Sequence, residues 1–304
     1  MSTTMELVLP LPAGYDVGPV LAFHSRDVEA VSEQVSEQVS GQVSEQRLRK
    51  AVLLDGVPLL LDIALTPSHA HCQIVADAAI TPAAATMAQD ALHNVLGLRI
   101  DPAPFLAVAR ADPLLAPLAR RHSALRVVQS ASVFEALTWA IIGQQIHLGF
   151  AIALRRSLIV QAGVRHSNRL WCYPEAREVA CIDIDALLRQ KFSRAKADTL
   201  LRLARLVDDG TLSLDRNADL ASTSAALLAI KGIGPWTVNY ALLRGFGYAD
   251  CSLHGDVAIR TALQRLLAED SKPDLARTEA LLARWAPHRT MAAALLWASL
   301  APAA

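Results

Sequence analysis

Residues 228–240 read Leu-Ala-Ile-Lys-Gly-Ile-Gly-Pro-Trp-Thr-Val-Asn-Tyr, a pattern typical of two helices joined by a tight turn. Gly232 and Gly234 occupy the turn, where glycine permits positive φ and the close approach of another backbone. Pro235 suits the first position of the second helix, because no N–H is needed there. The free amides and the dipole of that helix start would suit a phosphate. An ordinary corner between two helices explains the glycine spacing equally well.

Aromatic and acidic residues follow at helical spacing. Trp236 and Tyr240 are four residues apart and therefore share a helix face, which is more often a core pair than a pocket. Further on, Cys-Ser-Leu-His-Gly-Asp-Val-Ala-Ile-Arg spans residues 251–260, and apolar residues recur at helical spacing after it. Asp256 therefore stands at a helix start, where a plain N-cap is the simplest role.

The chain around this segment reads as one helix after another from about residue 100. Residues 132–135, Ser-Val-Phe-Glu, form a capping box that opens a helix. Residues 194–207 form another helix, with Ser193 as N-cap and Gly210 just past its end. Further helices are predicted over 222–230, 257–267 and 279–300. The adjacent Arg155 and Arg156 are interpreted as charges on a solvated helix face.

The first hundred residues have a different pattern, with short β-type runs over 6–11, 52–63 and 71–77 and a helix over 86–98. The second run is divided by Asp55-Gly56, a hairpin dipeptide. We therefore predict an α+β domain over 1–98 and a helical domain over 99–304. Residues 31–46 repeat Val-Ser-Glu-Gln four times with one substitution, and we interpret them as a mobile polar insertion in a loop or hairpin tip.

Composition limits the possible classes of protein. The 304 residues are 53% hydrophobic and 19% charged, which excludes disordered, collagen-like and disulfide-scaffold chains. No apolar run is long enough to span a membrane, and the start lacks a signal-peptide pattern, so a cytoplasmic protein is expected. Residues 1–100 carry 5 Lys and Arg against 11 Asp and Glu, whereas residues 101–304 carry 24 against 18. The basic part is compatible with binding a polyanion.

In combination, these motifs resemble the helix-hairpin-helix DNA glycosylases, most closely their alkylation-repair branch, the bacterial 3-methyladenine DNA glycosylases of type II. The Gly-Ile-Gly hairpin, the aromatic helix and the aspartate at the next helix start occur in the family's order. The same order continues in residues 142–146 (Ile-Gly-Gln-Gln-Ile), Lys196-Ala, residues 285–289 (Trp-Ala-Pro-His-Arg) and Trp297. The resemblance implies an antiparallel-sheet α+β domain followed by a mainly helical glycosylase domain of two lobes.

The resemblance also implies site residues. Asp256 matches the catalytic aspartate, and the base pocket would be formed by Trp236, Tyr240 and Trp297. The hairpin that grips the DNA backbone would comprise Lys231, Gly232, Ile233, Gly234 and Thr237. Gln145 stands where well-known relatives have a leucine that fills the vacated base stack, and Gln144 or His147 could share that role. A monovalent cation would bind the backbone carbonyls of Leu228, Ile230 and Ile233, and no cofactor is implied.

The implied activity is hydrolytic release of alkylated bases such as 3-methyladenine from double-stranded DNA, without an obligate protein partner. Lyase-competent relatives have a lysine where this chain has Trp236, so no Schiff base with the sugar is expected. Two alternatives remain open. The chain could act on another lesion, such as hypoxanthine, an etheno-adduct or 1-methyladenine. It could also be a damaged-DNA-binding protein that keeps the fold without turnover.

Overall fold

A five-stranded antiparallel sheet forms the N-terminal part of the molecule, in a computed structural model that describes residues 3–40 and 43–301. The strand order is β1-β5-β4-β3-β2. The strands are β1 (Thr3–Pro10), β2 (Glu33–Ser40), β3 (Val43–Leu54), β4 (Val57–Leu65) and β5 (His69–Ala76). Helices α1 (Gly18–His24) and α2 (Pro82–Val95) pack against the sheet and share its apolar core.

The hairpin predicted at Asp55-Gly56 is confirmed. Both residues have positive φ, +53° and +70°, and they join β3 to β4 with Leu54 opposite Val57. Two consecutive positive φ values are what a two-residue turn between right-twisted strands requires. The Glu175 carboxylate accepts hydrogen bonds from both turn amides at 2.8 Å, which ties this turn to the helical part of the chain.

The Val-Ser-Glu-Gln repeat is not a loop, and that part of the interpretation was wrong. Most of it forms β2 and the start of β3, which pair from Glu33 opposite Lys50 to Ser40 opposite Val43. A four-residue period is compatible with a strand, because an even spacing returns each valine to the same face. Val31 and Val35 accordingly pack against the sheet core. The expected mobility of the hairpin tip concerns residues 41 and 42, which lie outside the described residues.

Twelve further helices and one π-helical turn at Leu242–Phe246 make up most of the rest of the described chain. The helices are α3 (Ala103–Ala111), α4 (Ala116–Arg121), α5 (Val133–Gly143), α6 (Leu148–Ala162), α7 (Ala176–Ala180), α8 (Ile184–Arg189), α9 (Arg194–Asp208), α10 (Leu220–Leu228), α11 (Pro235–Ala241), α12 (Val257–Leu266), α13 (Leu275–Ala283) and α14 (Arg289–Ala298). Helix α5 is buried along most of its length and packs against α6, α9 and α11. The predicted α+β class is therefore confirmed.

The two parts also share packing. Val128, Ala131, Ile159 and Tyr173 come from beyond residue 98 but belong to the core of the sheet. The division at 98/99 stays a prediction, since these residues join the two cores.

None of the helices in the described part of the chain has the length and apolarity needed to cross a membrane.

A buried network of charged side chains lies between the sheet and α5. Ser132 caps α5 by accepting the amide hydrogen of Glu135, as predicted. The other half of the capping box does not form, because the Glu135 carboxylate accepts from the Ala131 amide, from Lys50 and from Arg155. Arg155 is therefore not a solvated charge, and that interpretation was wrong.

Glu33 completes the same network, which we call the Lys50 network: Lys50, Glu33, Glu135 and Arg155. The Lys50 ammonium, with a side chain 1% exposed, lies 2.5 Å from Glu33 and 2.8 Å from Glu135. Burial opposes ionisation of the two glutamates, but the charges of Lys50 and Arg155 outweigh it and hold the pKa of both carboxyls below the ordinary value. Each buried charge thus has a partner, which burial of ions requires.

Candidate active site

The predicted hairpin lies between α10 and α11, packed against α9. The Ile233 amide donates to the Ile230 carbonyl at 3.0 Å, and Gly232 has a φ of +98°. A Cβ on Gly232 would lie 2.1 Å from Oγ1 of Thr199, so glycine is required both for the backbone angle and for the contact. Gly234 is the N-cap of α11 and has open space around it, and Lys231 is exposed.

This difference between the two glycines is testable. Gly232→Ala is expected to lower the free energy of unfolding by about 1–3 kcal/mol, since alanine is strained at positive φ and must displace Thr199. Gly234→Ala is the matched control, because its φ of −111° suits alanine and nothing lies within 4 Å. Urea unfolding followed by circular dichroism measures both. Equal losses for the two variants would contradict the packing described for Gly232.

The end of α5 is attached to the hairpin by Gln144. Its side-chain amide donates to the Gly232 carbonyl at 3.0 Å and to Thr237 Oγ1 at 2.9 Å. Thr237 is 1% exposed, so its side chain positions the hairpin instead of facing outward. Gln145, by contrast, is exposed and has a φ of +55°. Of the two glutamines predicted for the base stack, Gln144 is engaged with the hairpin and Gln145 is exposed, and the role in the stack stays a prediction.

Asp256 is held at the start of α12 by three N–H donors. Its Oδ1 accepts from the Ile259 amide at 2.9 Å, which makes it the N-cap that the sequence indicated. The same oxygen accepts from the Trp297 indole at 3.2 Å, and Oδ2 accepts from the Trp236 indole at 2.9 Å. The residue remains 9% exposed. Asp256 is therefore a rigidly held carboxylate, and its catalytic role stays a prediction.

The three aromatic residues predicted for the base pocket lie together around this carboxylate. The ring centroids of Trp236 and Tyr240 are 5.3 Å apart, and those of Tyr240 and Trp297 are 6.3 Å apart. Trp139 of α5 joins them by donating its indole N–H to the Tyr240 hydroxyl at 2.8 Å. Sequence reasoning missed Trp139, because the almost wholly apolar α5 gives no sign that one of its aromatic residues has a polar partner at a distant position.

A cavity of about 40 Å³ adjoins this cluster, and Phe23, Arg26, Gln129, Trp139 and Tyr240 are among its lining residues. Asp256, Trp236 and Trp297 are not among its lining residues. Phe23 belongs to α1, so the N-terminal part of the chain contributes to this cavity. A larger cleft of about 1110 Å³, lined by Asp55, Phe134 and Arg216 among others, contains none of the predicted site residues.

The cation site stays a prediction. The Ile230 carbonyl already accepts the Ile233 amide hydrogen, which leaves it one lone pair. Leu228 is the last residue of α10, and carbonyls at a helix end lack intrahelical partners. These features suit a carbonyl-liganded monovalent ion. In the described chain, His, Cys, Asp and Glu side chains form no group of three that could hold a metal ion.

The sequence matches no model of a known protein family. A protein of Bacillus subtilis named DNA-3-methyladenine glycosylase is 30% identical over 211 residues, which cover 68% of this chain and 70% of that protein. The chain belongs to the DNA-3-methyladenine glycosylase family. The resemblance inferred from the hairpin and aspartate motifs is thereby confirmed.

Solved structures show that the glycosylase fold extends over the chain. The 3-methyladenine DNA glycosylase from Archaeoglobus fulgidus superposes with a TM-score of 0.76 at 20% identity, covering 96% of this chain and 97% of that one. The Schizosaccharomyces pombe 3-methyladenine DNA glycosylase in complex with abasic DNA gives a TM-score of 0.55 at 22% identity, covering 64% of this chain and 94% of that one. The fold shared with the Archaeoglobus fulgidus protein therefore includes both the sheet and the helices of this chain.

Proposed function

We propose that this chain is a monofunctional DNA N-glycosylase of base-excision repair, which flips out alkylated bases such as 3-methyladenine and releases them hydrolytically, leaving an abasic site. The observation that carries the proposal is the Asp256 carboxylate, fixed by three N–H donors beside an aromatic cluster. The glycosylase names of the relatives support the same activity. Such an enzyme would work beside the chromosome in the cytoplasm.

The geometry suits glycosidic cleavage because the positive charge of the transition state develops on the sugar. A carboxylate that is already in place stabilises this charge without reorganising during the reaction. Asp256 can also orient or deprotonate the attacking water, as carboxylates do in glycoside hydrolysis. The bond is hidden in a duplex, so the nucleotide must leave the stack at a cost of a few kcal/mol, which a damaged pair reduces.

The hairpin and the end of α5 have complementary roles in holding the flipped-out state. Lys231 and the free amides at the start of α11 would contact phosphates, and the hairpin shape depends on Gly232, Ile233 and Gly234. Gln145 would enter the vacated stack, where its amide can hydrogen-bond to the unpaired base. The hydrogen bonds of Gln144 to Gly232 and Thr237 connect the end of α5 to the hairpin.

The proposal that the chain lacks lyase activity is supported by the absence of a lysine at position 236 and by the positions of Lys196 and Lys231. Trp236 occupies the position of the nucleophilic lysine and donates its indole N–H to Asp256. Lys196 lies on α9 and is engaged, since its ammonium donates to the Ile142 carbonyl at 2.7 Å. Lys231 lies in the exposed turn. None of these three is an amine held beside Asp256, and covalent attack on the sugar needs one.

The purified chain is expected to release methylated purines from alkylated duplex DNA, detected by chromatography of the free bases. The DNA product should break only after alkali treatment, which reveals abasic sites, and borohydride should trap no protein–DNA adduct. Lesion-dependent binding without base release would favour the non-catalytic alternative. A trapped adduct would contradict the monofunctional mechanism.

A further inference from the structure

A large cleft lies outside the candidate active site, and we call it the Arg216 cleft. Its volume is about 1110 Å³, comparable to the largest pockets that bind small molecules. It is bounded by the turn between β3 and β4, by α2, by the starts of α5 and α7, and by the chain between α9 and α10. The apolar part of its wall includes Leu54, Met87, Val133, Phe134, Val207 and Leu214. The cleft is therefore large enough for a small ligand and offers it an apolar surface.

The cleft and the hairpin lie at opposite ends of two helices. Helix α5 begins at Val133 on the cleft wall and ends beside Gln144, which contacts the hairpin. Its 11 residues make it about 16 Å long. Helix α9 runs in the opposite direction, because Lys196 near its start contacts Ile142 of α5 and Val207 near its end lines the cleft. A ligand in the cleft would therefore lie away from DNA held by the hairpin.

Arg216 is a cation without a partner on the cleft wall. Within residues 3–40 and 43–301 it forms no ion pair or hydrogen bond, and its Nη1 atom is buried. Burial lowers the pKa of Arg216 to about 10, an effect that the charge of Arg99 increases and that of Asp90 opposes. The guanidinium therefore stays charged at neutral pH, and a charge removed from water needs a partner. Arg99 differs from it, since Arg99 forms an ion pair with Asp90.

The carboxylates of the cleft wall do not neutralise Arg216. Six carboxylates and three arginines line the cleft. Glu175 accepts both amide hydrogens of the β3–β4 turn, Asp90 pairs with Arg99, and Asp208 is exposed. The other three accept hydrogen bonds from nearby groups, Asp55 from Thr81, Glu178 from Glu175 and Asp215 from Asn217. Arg216 is thus a half-buried cation that lacks an anion, while the surplus of carboxylates limits the negative charge that a ligand can carry.

We propose that the Arg216 cleft binds a small organic acid, in which one carboxylate is attached to an apolar group. The planar guanidinium of Arg216 can donate two parallel hydrogen bonds to a carboxylate. The start of α5 lies on the same wall, and the positive end of its dipole favours an anion. The apolar group would contact Met87 and Leu214, which are partly exposed. A doubly charged phosphate is disfavoured, because the surplus carboxylates repel each added negative charge.

The test measures binding of three ligands that share one skeleton and differ in charge: 3-phenylpropionate, 3-phenylpropionamide and 3-phenylpropylamine. Binding is followed by NMR of the full chain with isotope-labelled methionine methyl groups. The chain contains four methionines, of which Met87 lines the cleft and Met291 lies in the helical core. The Met87 signal should shift with the carboxylate and not with the amide or the amine, while the Met291 signal stays in place. Acetate, which lacks the apolar group, and doubly charged phenyl phosphate should bind more weakly.

Substitution of Arg216 tests whether its charge is responsible for binding. Arg216→Gln should weaken binding of 3-phenylpropionate by about tenfold or more, because it removes the charge and the paired hydrogen bonds. Arg216→Lys keeps the charge and should retain part of the affinity. Arg205→Gln is the matched control, since Arg205 in the last turn of α9 is exposed and does not line the cleft. An unchanged Met291 signal checks that each variant is folded.

Several outcomes would overturn the inference: wild-type affinity in Arg216→Gln, equal binding of the amide, tighter binding of the amine, or a Met87 signal that no ligand shifts. A duplex that contains a methylated purine should leave the affinity for 3-phenylpropionate unchanged, because the cleft and the hairpin lie at opposite ends of α5. Displacement of the acid by DNA would also overturn it. Failure to release methylated bases, with binding of the acid retained, would count against the proposed function alone.

Discussion

Asp256→Asn is expected to lower the single-turnover rate of 3-methyladenine release by about a thousandfold while the fold stays intact. The reason is that a fixed negative charge stabilises the sugar cation in the transition state. Removing one preorganised group from a transition state costs about 10²–10³ in rate. Asparagine is as good an N-cap as aspartate, so the start of α12 should survive the change. The measurement is base release from methylated duplex under enzyme excess, with circular dichroism as the check on folding.

Asp274→Asn is the matched control for that experiment. Asp274 also caps a helix, accepting the Arg277 amide hydrogen at 2.8 Å, but it has no indole partner and is exposed. Its substitution should leave the rate unchanged. If Asp256→Asn kept more than about a tenth of the wild-type rate, the carboxylate would be an N-cap only and the proposed mechanism would be wrong.

Lys50→Met is expected to have the largest effect on stability, lowering the free energy of unfolding by about 3–5 kcal/mol. The substitution keeps an unbranched side chain, one atom shorter than that of lysine, but leaves Glu33 and Glu135 buried together, with Arg155 as their main remaining cation. Arg49→Met is the matched control, because this neighbouring residue has a 39% exposed side chain and its buried partner Asp62 keeps a second cation, Arg47. A half-exposed arginine whose carboxylate partner stays paired is expected to contribute only about 0–1 kcal/mol.

The Lys50 network also predicts how the free energy of unfolding changes at acidic pH. The pKa values of Glu33 and Glu135 lie below the ordinary 4.5, so their contribution to stability is present above that pH and is lost as the pH falls through the folded-state values. Urea unfolding between pH 7 and pH 3 should therefore show stability falling steeply below about pH 4.5. A wild type that keeps its full stability at pH 3, or a Lys50→Met variant as stable as Arg49→Met, would contradict this account.

Turns and helix caps were predictable from the sequence, because they depend on residues close together in the chain. Asp55-Gly56 specifies its turn through the backbone angles of two residues, and Ser132 caps α5 through an amide three residues away. The Val-Ser-Glu-Gln repeat shows where such reasoning fails. Its polar composition favours a loop, but the strand is stabilised by pairing with β3 and by valines that reach the sheet core. Composition was a weaker guide there than the even spacing.

The sequence predicted several residues of the site but not the contacts that they make. The hairpin glycines and the position of Asp256 at a helix start can be read from neighbouring residues and from family order. Trp139, Arg26 and Arg244 could not be assigned in this way, because each meets the aromatic cluster through residues on other elements. Arg155 was misinterpreted for the same reason, since its partners Glu33 and Glu135 lie on β2 and α5.

The amino-acid sequence by itself determined the Asp55-Gly56 turn, the N-caps Ser132 and Asp256 and the glycine at position 232, since these depend on backbone angles and on neighbours within one helical turn, whereas the helix predicted over 279–300 is divided into α13 and α14. Only the tertiary structure decided that Asp256 lies between the indoles of Trp236 and Trp297, 20 and 41 residues away, and that Lys50 meets Glu135 across 85 residues. Such contacts depend on how whole elements pack, and packing energy is summed over the entire core instead of being encoded at any one position.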